Sequence, residues 1–492
     1  MLTPSEIKTL IDNDNGSEKK KLARMGLRYY EADHDIRSYR IFYIDADGNV
    51  QEDKMKSNIK ISHPFLTELI EQKVQYMLSG RGEYIKSDIP GLQNELNERF
   101  NENDEFNAEL EELLTGASAK GFEYMYAYKG QDGKTAFKCA DSLGVVEVRA
   151  NETDDGCEYV IYHYIDRIGK DNKKIKRIQV WDEKQTYYFC QVDDGAIVTD
   201  ASVTLNPRPH IVYQKGDDAS LYSEGYGFIP FFRLDNCKKQ FSDLKPVKAL
   251  IDDYDLMACG LSNNIQDVNE ALYVVKGFQG DNLDEMITNL RSKKAVGVDG
   301  DGGVEVMTTN IPYEARKIKL ELDEKSIYKF GMGFNSAQVG DGNVTNIVIK
   351  SRYVLLDLKC NKLEKRLKQF LRKLLKVVLV EINTTEGTDY QLKDVYFDFQ
   401  REVMTNASDN AQIELTDAQK RQTEINTLLN LANILDSETF MENICDVLDL
   451  DYEQLKDKLP KDDDDGGTYA AKQALDSVQP EDDRGAGGGV IE

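Results

Sequence analysis

The side chains able to do chemistry are few and scattered. Four histidines, His34, His63, His163 and His210, stand far apart in the chain and beside no acid-rich motif. Their spacing sets up no metal site and no acid–base pair. His63 precedes Pro64 and reads as a residue that leads into a helix. Seven cysteines, Cys139, Cys157, Cys190, Cys237, Cys259, Cys360 and Cys445, lack metal-ligand spacing, and their odd number fits reduced intracellular thiols. Asp45, Asp47 and Asn49 imitate the first ligands of a calcium loop. Val50 stands where that loop needs glycine and Lys56 where it needs glutamate, so the stretch reads as a hairpin turn. No G-x-x-x-x-G-K-[ST] occurs. Gly331-Met-Gly333 and Gly340-Asp-Gly342 are too short for a phosphate loop and do not lead from a strand into a helix. Acid pairs such as Asp252-Asp253 are expected by chance among 88 Asp and Glu. The chain therefore carries no nucleophile, metal or cofactor signature, and the expectation is that it is not an enzyme.

The elements that would position these residues form an α+β pattern. With 492 residues, 40% of them hydrophobic, the chain has room for two to four domains. A net charge of −26 argues against a general nucleic-acid-binding surface. It leaves open that DNA moves past an acidic wall without adhering. Met1 to Leu10 has no basic region followed by an apolar core and no apolar run is long enough to cross a membrane, so no signal peptide and folding in a cytosol are expected.

Residues 1–32 are helical in pattern, with Leu22, Met25 and Leu27 as anchors. Tyr39 to Ile44 reads as a strand. Pro64 to Leu78 reads as a helix with Leu66, Leu69, Ile70, Lys73, Val74 and Met77 in sequence along it, and Leu92 to Ala119 as two more helices. An antiparallel meander follows from Glu123 to Tyr213. The organising stretch is Phe241 to Lys376. Phe241 to Val268 reads as one helix with Asp243 near its start, placed for the helix dipole. The insert after it reads strand, helix, strand, strand: Leu272 to Lys276, Asp281 to Arg291, Ala295 to Val298 and Val304 to Met307. A second helix runs from Pro312 to Phe330, with a thin apolar stripe of Ala315, Ile318 and Leu322. A Gly-rich loop from Gly331 to Asn346 leads into a basic helix from Ile347 to Val380, about 50 Å long at ~1.5 Å per residue. Lys359, Lys362, Lys365, Arg366, Lys368, Arg372, Lys373 and Lys376 lie opposite its leucines. They suit pairing with acids of the same or the next subunit better than a nucleic-acid face. Tyr390 to Phe399 alternates like a strand. Ala407 to Leu459 is helical with Ile425, Leu428, Leu429, Leu431, Ala432 and Leu435 as its core face, and the tail after Pro460 has the composition of a disordered segment.

Three stretches carry a resemblance. Asn58-Ile-Lys-Ile-Ser-His-Pro-Phe-Leu66 is followed by Lys73-Val-Gln-Tyr-Met-Leu78. Gly227-Phe-Ile-Pro-Phe-Phe-Arg-Leu-Asp-Asn236 leads to Ser242-Asp-Leu244 and Leu250-Ile-Asp-Asp-Tyr-Asp255. The third is the loop before Ile347, where relatives often carry Ser-Gly and this chain has Thr345-Asn346. In this order the chain resembles the portal proteins of long-tailed bacteriophages, the Bacillus siphophage type, over roughly residues 20–460.

The resemblance implies a portal fold and a ring of about twelve subunits around a channel at one capsid vertex. Residues 1–240 would be the wing. Residues 241–268 and 312–330 would be stem helices, 269–311 the clip, 331–346 the tunnel loop, and 347–405 the long helix with a returning wing strand. Residues 406–460 would be the crown and 461–492 a disordered tail. Double-stranded DNA would be packaged through the channel by the terminase motor and later ejected. Terminase large subunit, head–tail adaptor, capsid and scaffolding proteins would be partners, with no cofactor. The place of the protein would be the virion, after assembly in the host cytoplasm. Phe334, Asn335, Ser336, Gln338, Val339 and Asn343 would touch DNA from the tunnel loop; the other reading of that loop is a plain helix–helix connector. Glu314, Glu321, Asp323 and Glu324 would face the channel, and Asp281, Glu285, Arg291 and Lys293 of the clip would meet partners. The alternative is a phage-encoded DNA-processing enzyme whose site has an unfamiliar form.

Overall fold

The computed structural model describes residues 1–431, 439 and 442–445, apart from 46, 55, 81, 131, 150–155, 169–172, 215–220, 269–271, 277–302, 308–311, 336–345 and 402–406. The chain divides into two compact units, residues 1–341 with 350–403, and residues 342–349 with 404–492. In the first unit α1 (Pro4–Gly16) and α2 (Glu18–Tyr30) are separated at Ser17, whose hydroxyl accepts the Lys20 amide. Ile7 and Ile11 of α1 are buried. On α2 the buried positions are Lys20, Ala23, Gly26 and Tyr29, whereas Leu22 is exposed and Met25 and Leu27 are only half-buried. Of the expected anchors Met25 packs against the main core, whereas Leu22 faces solvent. Gly26 lets α2 approach α5 closely, because a Cβ there would lie 1.9 Å from the Ala119 carbonyl oxygen. A helix pressed that closely on its neighbour is oriented by its glycine.

The hairpin β1 (Phe42–Ile44) and β2 (Val50–Glu52) is fully exposed. α3 (Phe65–Met77) buries every position of its expected stripe, Lys73 included. β3 (Ile85–Lys86), α4 (Pro90–Leu96) and a π-helical turn (Asn97–Asn101) lead to α5 (Asp104–Lys120), closed by Gly121 at φ 95°. β4 (Phe122–Lys129) and β5 (Thr135–Ala140) form a hairpin. The meander then runs through β6 (Val145–Val148), β7 (Tyr159–Ile168), β8 (Lys173–Trp181), β9 (Gln185–Val192) and β10 (Val198–Thr199), with β11 (Arg208–Pro209) also on β9. One face of this sheet packs on Ile7 and Ile11 of α1. β12 (Ile211–Gln214) and β13 (Leu221–Glu224) pair with each other. β14 (Phe231–Asp235) returns across more than a hundred residues to pair with β4.

α6 spans Lys248–Val268, seven residues shorter than expected at its start, with Leu244 and Val247 buried in the turns before it. β15 (Leu272–Lys276) and β16 (Gly303–Met307) pair antiparallel, as two of the insert's expected strands. The expected helix 281–291 and strand 295–298 lie outside the described residues. α7 (Tyr313–Gly331) packs on α6. α8 (Asn346–Glu386) exceeds its expected length and sends Leu363, Leu367, Phe370, Leu371 and Leu374 into the main core with α3 and α5. The expected strand at 390–399 shrinks to a 3-10 turn and β17 (Tyr396–Phe397), paired with β3. In the second unit α9 covers Ala407–Leu431. Its expected core face is not buried there: Ile425, Leu428 and Leu429 are half-buried and Leu431 is exposed, while Ala432 and Leu435 lie outside the described residues. Residues 461–492 lie outside them as well.

Candidate functional site

α6 buries Ile251, Asp255 and Cys259, a line of every fourth residue that continues as Asn263 and Asp267. An apolar line would have met a helix or sheet. This polar one meets bare backbone. The extended chain at 57–63 lies antiparallel along it and donates alternate amides: Ser57 to Asp267 Oδ1 (3.1 Å), Ile59 to Asn263 Oδ1 (2.6 Å), Ile61 to Cys259 Sγ (3.2 Å) and His63 to Asp255 Oδ1 (3.0 Å). The spacing explains the match. Four helical residues rise about 6 Å and two extended residues about 6.6 Å. This strap is the Asn58–His63 stretch on which the sequence resemblance partly rests.

At the end of the strap the chain gathers two of its four histidines on one carboxylate. His34 Nδ1 lies 2.6 Å from Asp255 Oδ2 and His63 Nδ1 lies 2.7 Å from Oδ1. Burial pushes the Asp255 carboxyl up, but the bonds from both imidazoles and the His63 amide outweigh it and hold the group below its usual range. The second nitrogen of His34 faces the Tyr29 carbonyl at 3.2 Å. His34 and Asp255 are buried without solvent access. Sequence distance concealed this cluster, and the expectation that the histidines stand away from acids is corrected for His34 and His63.

A second buried node ties α3, α5, α8 and the turn before α6 together. Lys73 Nζ donates to Ser118 Oγ (2.9 Å), Asn236 Oδ1 (2.7 Å) and Asp243 Oδ2 (3.0 Å). Lys359 Nζ lies 3.0 Å from the same Asp243 oxygen and donates to the Gly331 carbonyl at 2.9 Å. Burial opposes the Asp243 charge, yet the two lysines drive its carboxyl far below the ordinary range. Asp243 is thus an ionic hub ahead of α6, not the helix-dipole partner that its position suggested.

α7 departs from expectation at one acid. Asp323 is buried and paired with Lys319, which also reaches Asp253 of α6. A buried acid cannot form one exposed wall with Glu314 and Glu321, which are exposed; Glu324 is half-buried and accepts from Asn335 Nδ2 at 2.8 Å. Ile318 and Leu322 are 55% and 56% exposed and Ala315 is exposed too, so the apolar stripe points away from this chain's own core. After α7 the chain turns at Met332, φ 56°, rather than at a glycine. Gly331 and Gly333 serve another need: a Cβ at either would lie 2.6 Å or 2.2 Å from a Leu69 methyl. Phe334 is pinned by Gln72, whose Oε1 accepts its amide (2.9 Å) and whose Nε2 donates to its carbonyl (2.7 Å), and its ring stacks on Tyr353 at 5.0 Å. The loop therefore leaves α7 from a fixed root. Ser336, Gln338, Val339 and Asn343 lie outside the described residues, as do Asp281, Glu285, Arg291 and Lys293. All seven cysteines are free thiols. Among the described residues no side-chain group is placed to hold a metal ion and no helix is long and apolar enough to cross a membrane.

Comparison with known proteins decides what this scaffold is. The family described as phage portal protein, SPP1 Gp6-like, matches residues 10–458. The chain belongs to that phage portal family. The portal protein of Bacillus phage SPP1 is 30% identical over 368 residues, covering 74% of this chain and 70% of that protein. The portal protein of Clostridium phage phiCD119 is 26% identical over 405 residues, covering 78% and 83%. Membership in the portal family carries the family's part in a phage, a structural channel for packaging DNA into the capsid. The strap, the two buried nodes and the loop root are thus features of a portal subunit and need no catalytic role.

Proposed function

We propose that this chain is one subunit of a closed ring of about twelve copies at a single capsid vertex. Double-stranded DNA enters through its channel under the terminase motor and leaves by it at ejection. α6 and α7 form the stem, the β-rich half the wing, residues 269–311 the clip that terminase and head–tail adaptor grip, and residues 406–460 the crown. Residues 331–346 project towards the DNA from the root at Phe334. They contain no lysine or arginine, which suits weak steric contact with phosphates better than tight binding.

The observation that carries this reading is the outward apolar stripe of α7. Ala315, Ile318 and Leu322 stay in water in a lone subunit. An apolar stripe on an otherwise polar helix is covered by a partner, and in a ring the adjacent subunit supplies it. Negative-stain microscopy and light scattering of the purified full chain test the reading. A ring with a central hole is expected. A chain that stays monomeric at micromolar concentration and moderate salt refutes it.

A further inference from the structure

α8 presents two unlike sides. The leucine side is in the core, and two of the helix's cations are used internally: Lys359 by Asp243 and Lys368 by Glu364. On the other side Lys362, Lys365, Arg372, Lys373 and Lys376 are exposed, and among the described residues no ion pair engages them. Steps of three, four and seven keep Lys362, Lys365, Arg372 and Lys376 in one row of about 21 Å. Toward the helix start the row continues as Leu358 and Leu355, with Val354 beside them, all exposed. A solvated lysine face has no reason to end in three bare aliphatic side chains. A surface that docks on protein does.

The complementary surface is present on the same chain. Glu102, which closes the π-helical turn, and Glu105 and Glu112 of α5 are exposed, and no ion pair engages them among the described residues. In a chain of net charge −26 a basic row without ion pairs among the described residues, in which only Arg372 has a neighbour, the Phe397 ring at 5.6 Å, is the exception, and the acids that match it are the rule. We propose that the basic and aliphatic side of α8 docks on the acidic side of α5 in a second copy of this chain. Each copy then carries one half of the contact on each of two different surfaces. Such a head-to-tail contact repeats from copy to copy and closes into a ring when its rotation divides the circle. The inference rests on the ring reading and names the surfaces that meet. DNA is the weaker occupant of the row, because phosphates make no use of Leu355 and Leu358.

Charge reversal in both directions tests it. One variant carries K362E, K365E, R372E and K376E, a second carries E102K, E105K and E112K, and a third carries all seven. Every altered side chain is exposed, and circular dichroism checks that helix content is kept. At about 0.15 M salt, mass photometry is expected to show rings for the native chain, a loss of rings of about tenfold or more for each one-sided variant, and rings again for the combined variant. Native rings alongside undiminished rings from both one-sided variants overturn the pairing and leave the ring reading standing. Failure of the combined variant to recover overturns it as well. So do rings from the first variant that assemble normally but no longer retain DNA, since the row would then belong to DNA. A native chain that forms no ring overturns both readings.

Discussion

Single side chains hold this portal subunit together where charge is buried. Glu381 of α8 receives Lys129, Arg99 (2.8 Å) and the Thr135 amide, and these hold its carboxyl down to about 2 against the pull of burial. A carboxyl depressed in the folded state adds stability above its unfolded value, near 4.5, and loses it as pH falls through the folded value. E381Q is therefore expected to cost roughly 2 kcal/mol at pH 7, with the gap to the native chain closing between about pH 4.5 and 2 in urea titrations. A gap that is flat across that window would show that the charge is not what matters. Asp255 is expected to be costlier. D255N leaves the buried His34 and the half-buried His63 without their anion, and a loss of about 3 kcal/mol is expected by the same titration. Steric fit gives a third expectation. G333A drives a methyl into Leu69 and should destabilise by about 1–3 kcal/mol, and adding L69A should return part of that. Simple addition of the two losses would mean the two residues do not clash.

At the scale of elements, the strap on α6 has a measurable signature. N263A removes the acceptor of the Ile59 amide, so hydrogen exchange at Ile59 and Ile61 should quicken by about tenfold while α3 stays protected. Unchanged exchange would mean the strap is held by packing alone. The strap also shows what sequence reading reaches. α3 was legible position by position, because its whole stripe, Lys73 included, packs on this chain's own core. The partners of Lys73 were not legible, since Ser118, Asn236 and Asp243 come from distant parts of the chain. α6 looked longer because apolar periodicity runs on through Val247 and Leu244, although the chain there is wound in turns around Pro246 and Asp243. α7 was legible in part, since Glu314 and Glu321 are exposed and of its expected acidic face only Asp323 is buried. The spacing of Ala315, Ile318 and Leu322 marks an apolar side without saying whose core it enters. His34, His63 and Asp255 were readable only as residue types, because nothing in a linear sequence brings positions 34, 63 and 255 together. The pairing of β14 with β4 depends on the fold and was not legible in the sequence.

For the whole molecule, acidity is spread unevenly. Residues 461–492 hold nine acids and three bases with few large apolar side chains. They lie outside the described residues, and a chain ending at Pro460 is expected to form the same soluble oligomer by light scattering, with loss of solubility counting against that. The strap has a mechanical consequence for such an assembly. Its four amide bonds to α6 lie side by side, crosswise to the helix axis. A pull along the α6 axis therefore meets them in shear, all four at once. Sliding to the next rung means breaking every one and moving about 6 Å. A pull that lifts the Val268 end meets them one at a time, as a peel. The same bonds thus make the helix stiff to thrust along its length and compliant at its far end, where β15 and the insert begin.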